Sequence, residues 1–253
     1  MFPFTVILGG DSRRNRYEVE EHPVEDDEEE IRDMDNTLLD FTRSEDAALR
    51  DALEGVGVHP DEKMVATYSA INDAMWKKLE RGETTKEALR TDRFREFCRV
   101  EGIDTDVDAL ARSYTEYLST KSFLIDGAEE TCRKLEPFCA LYVVTNGIGF
   151  VQRGRFNPSP LAPLFRDAFI SEEVGFEKPR REYFEAVAAK IPQFNPENTL
   201  IVGDSLSSDI AGGTAFGIDT CWYNAQKKSL PDGMQPTYTV TRLEDVVPLI
   251  LIP

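Results

Sequence analysis

From residue 121 onward, short apolar runs alternate with stretches of helical character. The runs are compact, as is typical of strands buried in a parallel sheet, and they cover residues 140–144, 167–170, 199–202, 218–223 and 237–240. Repetition of strand, helix and strand requires a parallel sheet with helices on both of its faces. We therefore predict an α/β, Rossmann-like fold whose ligands bind at the carboxyl ends of the strands.

Residues 43–120 carry no strong strand pattern and predict a block of four helices. The chain thus divides into an atypical acidic segment (1–30), a core (31–42 and 121–253) and this helical block (43–120). Several residues are suited to begin helices. We expect Thr84 to cap the third helix with Glu87, Asp126 to cap a helix through Leu135, and Pro179 to open one that runs to about Lys190.

Composition excludes several classes of partner. The 253 residues include 47 acidic and 29 basic side chains, a net charge of −18, which argues against nucleic-acid polymers and anionic membranes. A small phosphate remains compatible, since a metal ion and one lysine can reverse the potential locally. Four cysteines without a C-x-x-C pair and two histidines argue against a zinc cluster and favour a reduced, cytoplasmic protein. No apolar run or leader predicts a membrane span or a secretory signal.

Two carboxylates stand two positions apart in Asp33-Met34-Asp35-Asn36-Thr37. Paired carboxylates in one pocket can hold a divalent metal, and one can attack while the other moves protons. In an acidic chain the same pattern also arises by chance as a solvated turn. Its interpretation therefore depends on the rest of the chain.

Further polar residues follow the predicted strands, at the edge where this fold binds ligands. Thr145 and Asn146 follow one strand, Asp204 and Asp209 follow another, and Lys178 precedes a predicted helix. Carboxylate oxygens suit Mg²⁺, whereas hydroxyl, amide and ammonium groups suit phosphoryl oxygens. Together with the paired carboxylates, these residues predict a site that binds a divalent metal and a phosphate.

Four blocks in this order resemble the motifs of the haloacid dehalogenase-like (HAD) hydrolase superfamily. They are Asp33 to Thr37, Thr145-Asn146-Gly147, Lys178-Pro179 and Gly203 to Asp209. The resemblance covers residues 31–253, and the helical block looks like the family's inserted helical cap. Segments 71–76, 79–85, 91–94 and 203–224 look most like bacterial nucleotidases that act on pyrimidine and noncanonical nucleoside monophosphates.

The resemblance implies roles for four residues of the first two blocks. Asp33 would attack phosphorus and form an aspartyl-phosphate. The family's dehalogenases lack the second carboxylate, so the presence of Asp35 favours phosphoryl transfer over dehalogenation. Asp35 would protonate the leaving nucleoside oxygen and then deprotonate the attacking water. Thr145 and the backbone amide of Asn146 would hold phosphoryl oxygens.

The remaining blocks are implied to supply charge. Lys178 would balance the charge of the transferring phosphoryl group. Mg²⁺ is the implied cofactor, with Asp33, Asp35 and Asp204 as ligands and Asp209 as a ligand or an organiser of its water shell. The implied partner is a small phosphorylated substrate, with a nucleoside monophosphate favoured. The sequence ranks no individual nucleotide and indicates no oligomeric state.

The residues before Asp33 depart from the family pattern. The strand that carries the nucleophile should be apolar, but Glu28, Glu29 and Glu30 stand there, and each would cost roughly several kcal/mol if buried without a partner. Three alternatives remain open: the strand is short and irregular, the apolar segment Phe4 to Leu8 replaces it, or the recorded N-terminus is not the natural one. The acidic run 18–30 itself is expected to be solvated.

Two further expectations concern the helices. Pro158 and Pro160 should end the helix after the second motif early. Trp76 and Phe94 are interpreted as core residues of the helical block, whereas Phe41 could stack on a pyrimidine. Alternative functions are a catalytically weak HAD relative that binds a ligand or partner, a phosphomutase, and a sugar phosphatase.

Overall fold

The computed structural model describes residues 4–11 and 37–251 of the chain. Within them, six strands form one sheet in the order β3-β2-β1-β4-β5-β6, and every neighbouring pair is parallel. The strands are β1 (Phe4–Asp11), β2 (Cys139–Asn146), β3 (Asp167–Ile170), β4 (Thr199–Gly203), β5 (Asp219–Tyr223) and β6 (Tyr238–Val240). The predicted α/β, Rossmann-like architecture is confirmed.

Ten α-helices accompany the sheet in the described residues. They are α1 (Phe41–Gly55), α2 (Glu62–Glu80), α3 (Lys86–Glu101), α4 (Val107–Ser119), α5 (Ala128–Leu135), α6 (Gly149–Phe156), α7 (Ser171–Val174), α8 (Arg181–Ala188), α9 (Ala211–Phe216) and α10 (Val246–Leu251). None of these helices has the length and apolar character needed to cross a bilayer.

The two faces of the sheet bury different apolar clusters, because successive side chains of a strand point in opposite directions. Val6 and Leu8 of β1 pack on one face, in a cluster that includes Leu135 of α5. Ile7 packs on the other face with Tyr183 and other residues of α8. The sheet is therefore covered by helices on both sides, which explains why its strands read as continuous apolar runs.

The central strand is β1, which pairs with β2 on one side and with β4 on the other. Val6, Ile7 and Leu8 are at most 3% exposed. Of the alternatives for the strand expected before Asp33, this pairing selects the apolar segment Phe4 to Leu8. Assigning residues 1–30 to a segment outside the core thus left out a strand of the core sheet. The strand ends at Asp11, and Asp33 follows 22 positions later.

Helices α1 to α4 form the helical block, as predicted. Two stretches of chain join it to the core, residues 37–40 and 120–127, which we call the two linkers. The linkers run side by side: the Asp40 amide donates to the Phe123 carbonyl at 2.9 Å, and the Ile125 amide donates to the Leu38 carbonyl at 3.0 Å. The division into core and block as separate domains stays a prediction.

The beginnings of three helices differ from expectation. Thr85, not Thr84, caps α3, and its hydroxyl accepts from the Ala88 amide at 3.2 Å. Gly127 precedes α5 without a side-chain cap, so Asp126 does not cap it. Pro179 stands two residues before α8, which begins at Arg181 and ends at Ala188.

The ends of two other segments follow from local sequence. Helix α6 ends at Phe156, as expected from Pro158 and Pro160. The stretch from Leu206 to Phe216 forms two consecutive helical parts, a π-helical segment Leu206–Ile210 and α9. Such π-helical turns are frequent at functional sites.

Candidate active site

The carboxyl ends of β1, β2 and β4 lie next to one another in the sheet, because the three strands are parallel and adjacent. Gly10 of β1 is opposite Thr145 of β2, and Asp11 is opposite Asn146. Asp204 directly follows β4 on the other side of β1. The structure thus brings Thr145, Asn146 and Asp204 to one edge of the sheet, where ligands bind in open α/β folds.

Asp33 and Asp35 fall outside the described residues, but the last residue of their motif does not. Thr37 is buried, and its hydroxyl donates to Oδ1 of Asp204 at 3.2 Å. The indole of Trp222 on β5 donates to the backbone carbonyl of Asp204 at 2.9 Å. These contacts hold Asp204 in place and join the first sequence block to the fourth.

Lys178 and Asp209 form an ion pair, with Nζ 2.5 Å from Oδ1 and both side chains completely buried. The Lys178 ammonium also donates to the Val144 carbonyl of β2 at 3.2 Å. The other carboxylate oxygen of Asp209 accepts from the Ser205 amide at 3.3 Å. Because burial of an unpaired charge is costly, each member of this pair depends on the other for its place in the interior.

A glycine makes room for this pair. A Cβ atom on Gly203 would stand 2.3 Å from Oδ2 of Asp209, which is much closer than van der Waals contact. The π-helical segment that follows, Leu206–Ile210, carries Asp209 back toward the end of β4. The fourth sequence block therefore has a packing reason for its first residue and its last.

Asn146 and Lys178 hold each other through a second, reciprocal contact. The Asn146 side chain donates to the Lys178 carbonyl and accepts from the Lys178 amide, each at 2.9 Å. Both side chains are buried. This clasp fixes the loop that carries Lys178 against the end of β2, while the backbone of Asn146 stays at the sheet edge.

Thr145 is also buried, and its hydroxyl oxygen accepts from the Gln152 side-chain amide at 2.7 Å. Sequence reasoning identified Thr145 but not Gln152. Gln152 follows Thr145 by seven residues and lies on α6, so only the packing of that helix against β2 reveals the pair.

The helical block reaches the site through α3. Lys86 Nζ lies 3.0 Å from the Ser171 hydroxyl and 3.0 Å from Glu177 Oε1, and Ser171 also accepts from the Gly147 amide at 3.1 Å. Arg90, one turn further along α3, pairs with Glu172 at 2.5 Å. Sequence reasoning missed these two basic residues, since their spacing alone indicates only one face of a helix.

Inside the helical block, Glu45 accepts from Ser69 at 2.8 Å and from the Asn72 amide at 2.7 Å. Arg93 donates to the Asn72 side-chain oxygen at 2.8 Å, and its guanidinium lies 5.0 Å from the Tyr114 ring centroid. All five side chains are buried. Asn72 and Arg93, which carried part of the family resemblance, therefore form a polar network within the block.

The aromatic residues of the block are core residues, as interpreted. Trp76 is 4% exposed and Phe94 is fully buried. Phe41 packs in the same apolar cluster as Phe94, and the Arg155 guanidinium lies 5.4 Å from the Phe41 ring centroid. Burial raises the pKa of Tyr68 and Tyr114 well above the usual value, so both phenols stay neutral.

The cysteines are structural residues. All four are buried and unpaired with one another. Burial raises the pKa of Cys132 and Cys221 to about 12 and that of Cys139 to about 11, and it also raises the pKa of Cys98. Because the thiolate is the nucleophile, thiols protonated at neutral pH do not supply covalent catalysis.

The donor atoms fit Mg²⁺ in kind, since carboxylate oxygens are its usual protein ligands. Residues 6–8 and 37–251 contain no cluster of three His, Cys, Asp or Glu side chains that could hold a metal ion by themselves. Of the four predicted ligands, Asp204 and Asp209 lie in that range, and Asp209 is engaged by Lys178. The other two predicted ligands, Asp33 and Asp35, lie outside the described residues, so the complete magnesium site stays a prediction.

The family model for haloacid dehalogenase-like hydrolases matches residues 31–217. The chain belongs to the HAD-like hydrolase family. The resemblance seen in the four sequence blocks is thereby confirmed, and the enzyme class is a hydrolase of this family.

Two HAD relatives match most of the chain. The HAD-hydrolase YfnB of Bacillus subtilis (strain 168) is 39% identical over 220 residues, 87% of this chain and 94% of YfnB. The pyrimidine 5'-nucleotidase PynA of Streptococcus pneumoniae (strain ATCC BAA-255 / R6) is 38% identical over 216 residues, 85% of this chain and 91% of PynA. A crystal structure of YfnB bound to magnesium superposes with a TM-score of 0.83 at 35% identity, covering 98% of this chain and 99% of that one.

Proposed function

We propose that this HAD hydrolase is a Mg²⁺-dependent phosphomonoesterase, a 5'-nucleotidase acting on pyrimidine or modified nucleoside monophosphates. One observation carries the proposal: Thr145, the clasped pair Asn146–Lys178 and Asp204 meet at the end of the central strand. The relation to PynA, named a pyrimidine 5'-nucleotidase, supports the substrate class. The magnesium-bound structure of YfnB supports the metal.

The proposed reaction begins with attack of a carboxylate oxygen of Asp33 on phosphorus. An O–P bond forms to Asp33, the bond between phosphorus and the 5' oxygen breaks, and Asp35 gives that oxygen a proton. Asp35 then takes a proton from water, whose oxygen attacks the aspartyl-phosphate and releases inorganic phosphate. Asp33 stands four positions before Thr37, which contacts Asp204 at the sheet edge.

The phosphoryl group is proposed to bind between β2 and Lys178. The Thr145 hydroxyl and the Asn146 amide would donate to phosphoryl oxygens, and the Lys178 ammonium would offset developing negative charge. Asp209 holds that ammonium and cancels its charge, since the two form a buried pair. A dianionic phosphate therefore needs further positive charge, which supports a divalent cation.

Asp33, Asp35 and Asp204 are proposed to hold Mg²⁺. When bound, the metal would supply positive charge to the phosphoryl oxygens and keep Asp33 ionised. Asp209 is better placed to hold Lys178 than to ligate directly, because both of its oxygens already accept hydrogen bonds. Its role toward the metal's water shell stays a prediction.

A catalytically weak relative that binds its ligand without turnover is the second candidate. The observation that favours it is the separation between the central strand and the nucleophile motif. Strand β1 ends at Asp11, and the motif begins only at Asp33. A phosphomutase and a sugar phosphatase share the same site chemistry and differ in the substrate they retain or accept.

The test is release of inorganic phosphate by the purified chain with Mg²⁺, from UMP, dUMP, TMP, modified pyrimidine nucleotides, AMP and sugar phosphates. We expect release from the pyrimidine nucleotides and none after Mg²⁺ is removed with a chelator. No release from any substrate by folded protein would contradict the enzyme proposal and favour the binding protein. Preference for a sugar phosphate, or interconversion of its isomers, would replace the nucleotide assignment.

Two asparagine variants locate the nucleophile. Asp33→Asn should abolish release, whereas Asp11→Asn should leave it within about twofold of the parent, since Asp11 ends the central strand but is not part of the D-x-D motif. The reverse result would assign the attack to Asp11. A localisation in the cytoplasm stays a prediction from the cysteine content.

A further inference from the structure

Helix α6 presents two polar side chains to the interior, Gln152 and Arg155. Gln152 is 8% exposed and Arg155 is fully buried. Arg155 Nη1 donates to Gln152 Oε1 at 3.2 Å, and Gln152 Nε2 donates to Thr145 Oγ1 at 2.7 Å. The three side chains thus form a hydrogen-bonded chain that ends at the phosphate-binding residue predicted on β2.

The direction of this chain is determined by Arg155. A guanidinium has five donors and no acceptor, so the oxygen of the Gln152 amide must face it. The Gln152 nitrogen must then face Thr145, where it occupies a lone pair of the hydroxyl oxygen. The hydroxyl hydrogen is left to point elsewhere, as a donor.

Arg155 also contacts the second linker directly and reaches the first one through Ser44 of α1. Its Nε donates to the Lys121 carbonyl at 3.1 Å, and its Nη2 donates to the Ser44 hydroxyl at 3.3 Å. Ser44 Oγ lies 2.6 Å from the Asp40 carbonyl and 3.1 Å from the Lys121 carbonyl. Asp40 and Lys121 belong to different linkers, so Arg155 and Ser44 join the two where they enter and leave the block.

Helix α6 approaches the end of α4 too closely for a side chain between them. A Cβ atom on Gly154 would lie 2.6 Å from the backbone carbonyl oxygen of Ser119, the last residue of α4. The aromatic ring of Phe41, the first residue of α1, lies under the Arg155 guanidinium at 5.4 Å. A movement of the linkers would therefore displace the groups that contact Arg155.

We propose that Gln152 and Arg155 are positioning residues, which orient the Thr145 hydroxyl as a hydrogen-bond donor toward the phosphoryl group and couple it to the two linkers. The phosphoryl half rests on the proposed function, because it takes Thr145 as the phosphate ligand. The coupling half does not use that assignment and rests on the contacts of Arg155 and Ser44. The helical block and the phosphate site are then two ends of one buried hydrogen-bond network.

The phosphoryl half is tested with p-nitrophenyl phosphate as substrate and inorganic phosphate as inhibitor. Gln152→Leu should raise KM and the inhibition constant of phosphate together by about tenfold, the effect of one lost hydrogen bond, with a smaller change in kcat. In a Thr145→Val background the same substitution should change neither constant by more than about twofold. A residue that only stabilises the fold would act equally in both backgrounds, and that outcome would overturn the proposal.

The coupling half is tested by amide hydrogen exchange, which needs no activity. Arg155→Lys keeps the positive charge but loses the planar guanidinium that donates to Lys121 and Ser44 at once. Exchange of the backbone amides in residues 38–44 and 120–125 should therefore accelerate by about tenfold or more. The control is Arg153→Lys on the same helix. Arg153 pairs with Glu173 at the surface, so this variant should leave amide exchange in both linkers unchanged. Exchange that is equal to the parent in Arg155→Lys, with circular dichroism unchanged, would overturn the coupling.

These experiments separate the two proposals. If the parent protein neither hydrolyses phosphate esters nor binds phosphate, the proposed function fails, and so does the phosphoryl half. The exchange experiment still decides whether Arg155 joins the linkers. If the parent is active and Gln152→Leu behaves as the parent, the proposed function stands and the positioning role is wrong.

Discussion

The core and the helical block each bury charged side chains, but they pair them differently. In the core, Lys178 and Asp209 touch directly at 2.5 Å with no exposure of either side chain. In the block, the neutral side chain of Asn72 bridges Glu45 and Arg93 at 2.7 and 2.8 Å. In the direct pair the two opposite charges are in contact, whereas in the bridged arrangement a neutral amide shares its hydrogen bonds with both charges.

This difference matches what each region does. The core pair keeps an ammonium group fixed beside the strand ends, where a phosphoryl group is proposed to bind. The contacts of the network described above all lie within the block, and they order the interior of its four helices. We therefore expect substitutions in the core pair to remove both stability and activity, and those in the block to affect mainly stability.

Breaking the core pair should have the largest effect. Lys178→Met leaves Asp209 buried without its cation, so the free energy of unfolding in urea should fall by roughly 3–5 kcal/mol and phosphatase activity should be lost. The double variant Lys178→Met/Asp209→Leu should recover much of the stability but none of the activity. A single variant within about 1 kcal/mol of the parent would contradict the role assigned to the pair.

High pH should destabilise the fold through the buried thiols of the core. Folded Cys132, Cys139 and Cys221 keep protons that unfolded thiols release near the ordinary pKa of 9.0, because burial raises the pKa of the first and last to about 12 and of Cys139 to about 11. The contribution of these protonated thiols to the free energy of unfolding is complete below pH 9 and is lost between pH 9 and 12. Each should remove up to roughly 1.4 kcal/mol per pH unit in that window.

The measurement is the urea midpoint at pH 7, 8, 9 and 10. We expect little change up to pH 8 and a progressive fall above pH 9, together with no labelling of the folded protein by iodoacetamide at pH 8. In Cys221→Ala the alkaline loss should be smaller than in the parent. A urea midpoint that stays constant to pH 10 would contradict the raised pKa of these thiols.

Breaking the network in the block should cost less than breaking the core pair. In Arg93→Met, Glu45 keeps its hydrogen bonds from Ser69 and Asn72, so stability should fall by roughly 1–3 kcal/mol. Turnover of p-nitrophenyl phosphate should change by less than about threefold. The control is Arg99→Met, an exposed arginine of the same helix, expected within about 0.5 kcal/mol of the parent. A loss as large as that of Lys178→Met would remove the distinction between the regions.

The contact between the two regions should have the smallest effect on stability. Lys86→Met removes a partly exposed ion pair with Glu177, worth less than about 1 kcal/mol. Because Lys86 also contacts Ser171 beside Gly147, KM should rise by about threefold while kcat is retained. Lys134→Met, which breaks an exposed pair on α5, should leave KM unchanged. Equal KM values in both variants would show that Lys86 has no part in substrate binding.

Much of the fold is predictable because parallel strands buried on both faces leave a clear apolar pattern. The five runs from residue 140 to residue 240 are strands β2 to β6, within one or two residues at each end. The helix ends were less predictable. Either Thr84 or Thr85 can accept from an amide in the first turn, and only the backbone conformation of α3 selects Thr85.

The central strand was the hardest element to assign. Phe4 to Leu8 reads as a strand, but the sequence leaves open whether it replaces the strand expected before Asp33. Only pairing with both β2 and β4 places it in the middle of the sheet. Pairing is a long-range property, and a short apolar run does not reveal which neighbours it will find.

By itself, the sequence determined the type of fold and the membership in the HAD-like hydrolases, and it predicted Thr145, Asn146, Lys178 and Asp204 as site residues. The type of fold follows from the apolar runs, whereas the membership and the predicted site residues follow from four short motifs in order. Only the tertiary structure decided the partners: Asp209 with Lys178, Gln152 with Thr145, and Arg155 with Lys121 and Ser44. Long side chains from distant parts of the chain can meet in many ways, and the packing of helices on the sheet selects among them.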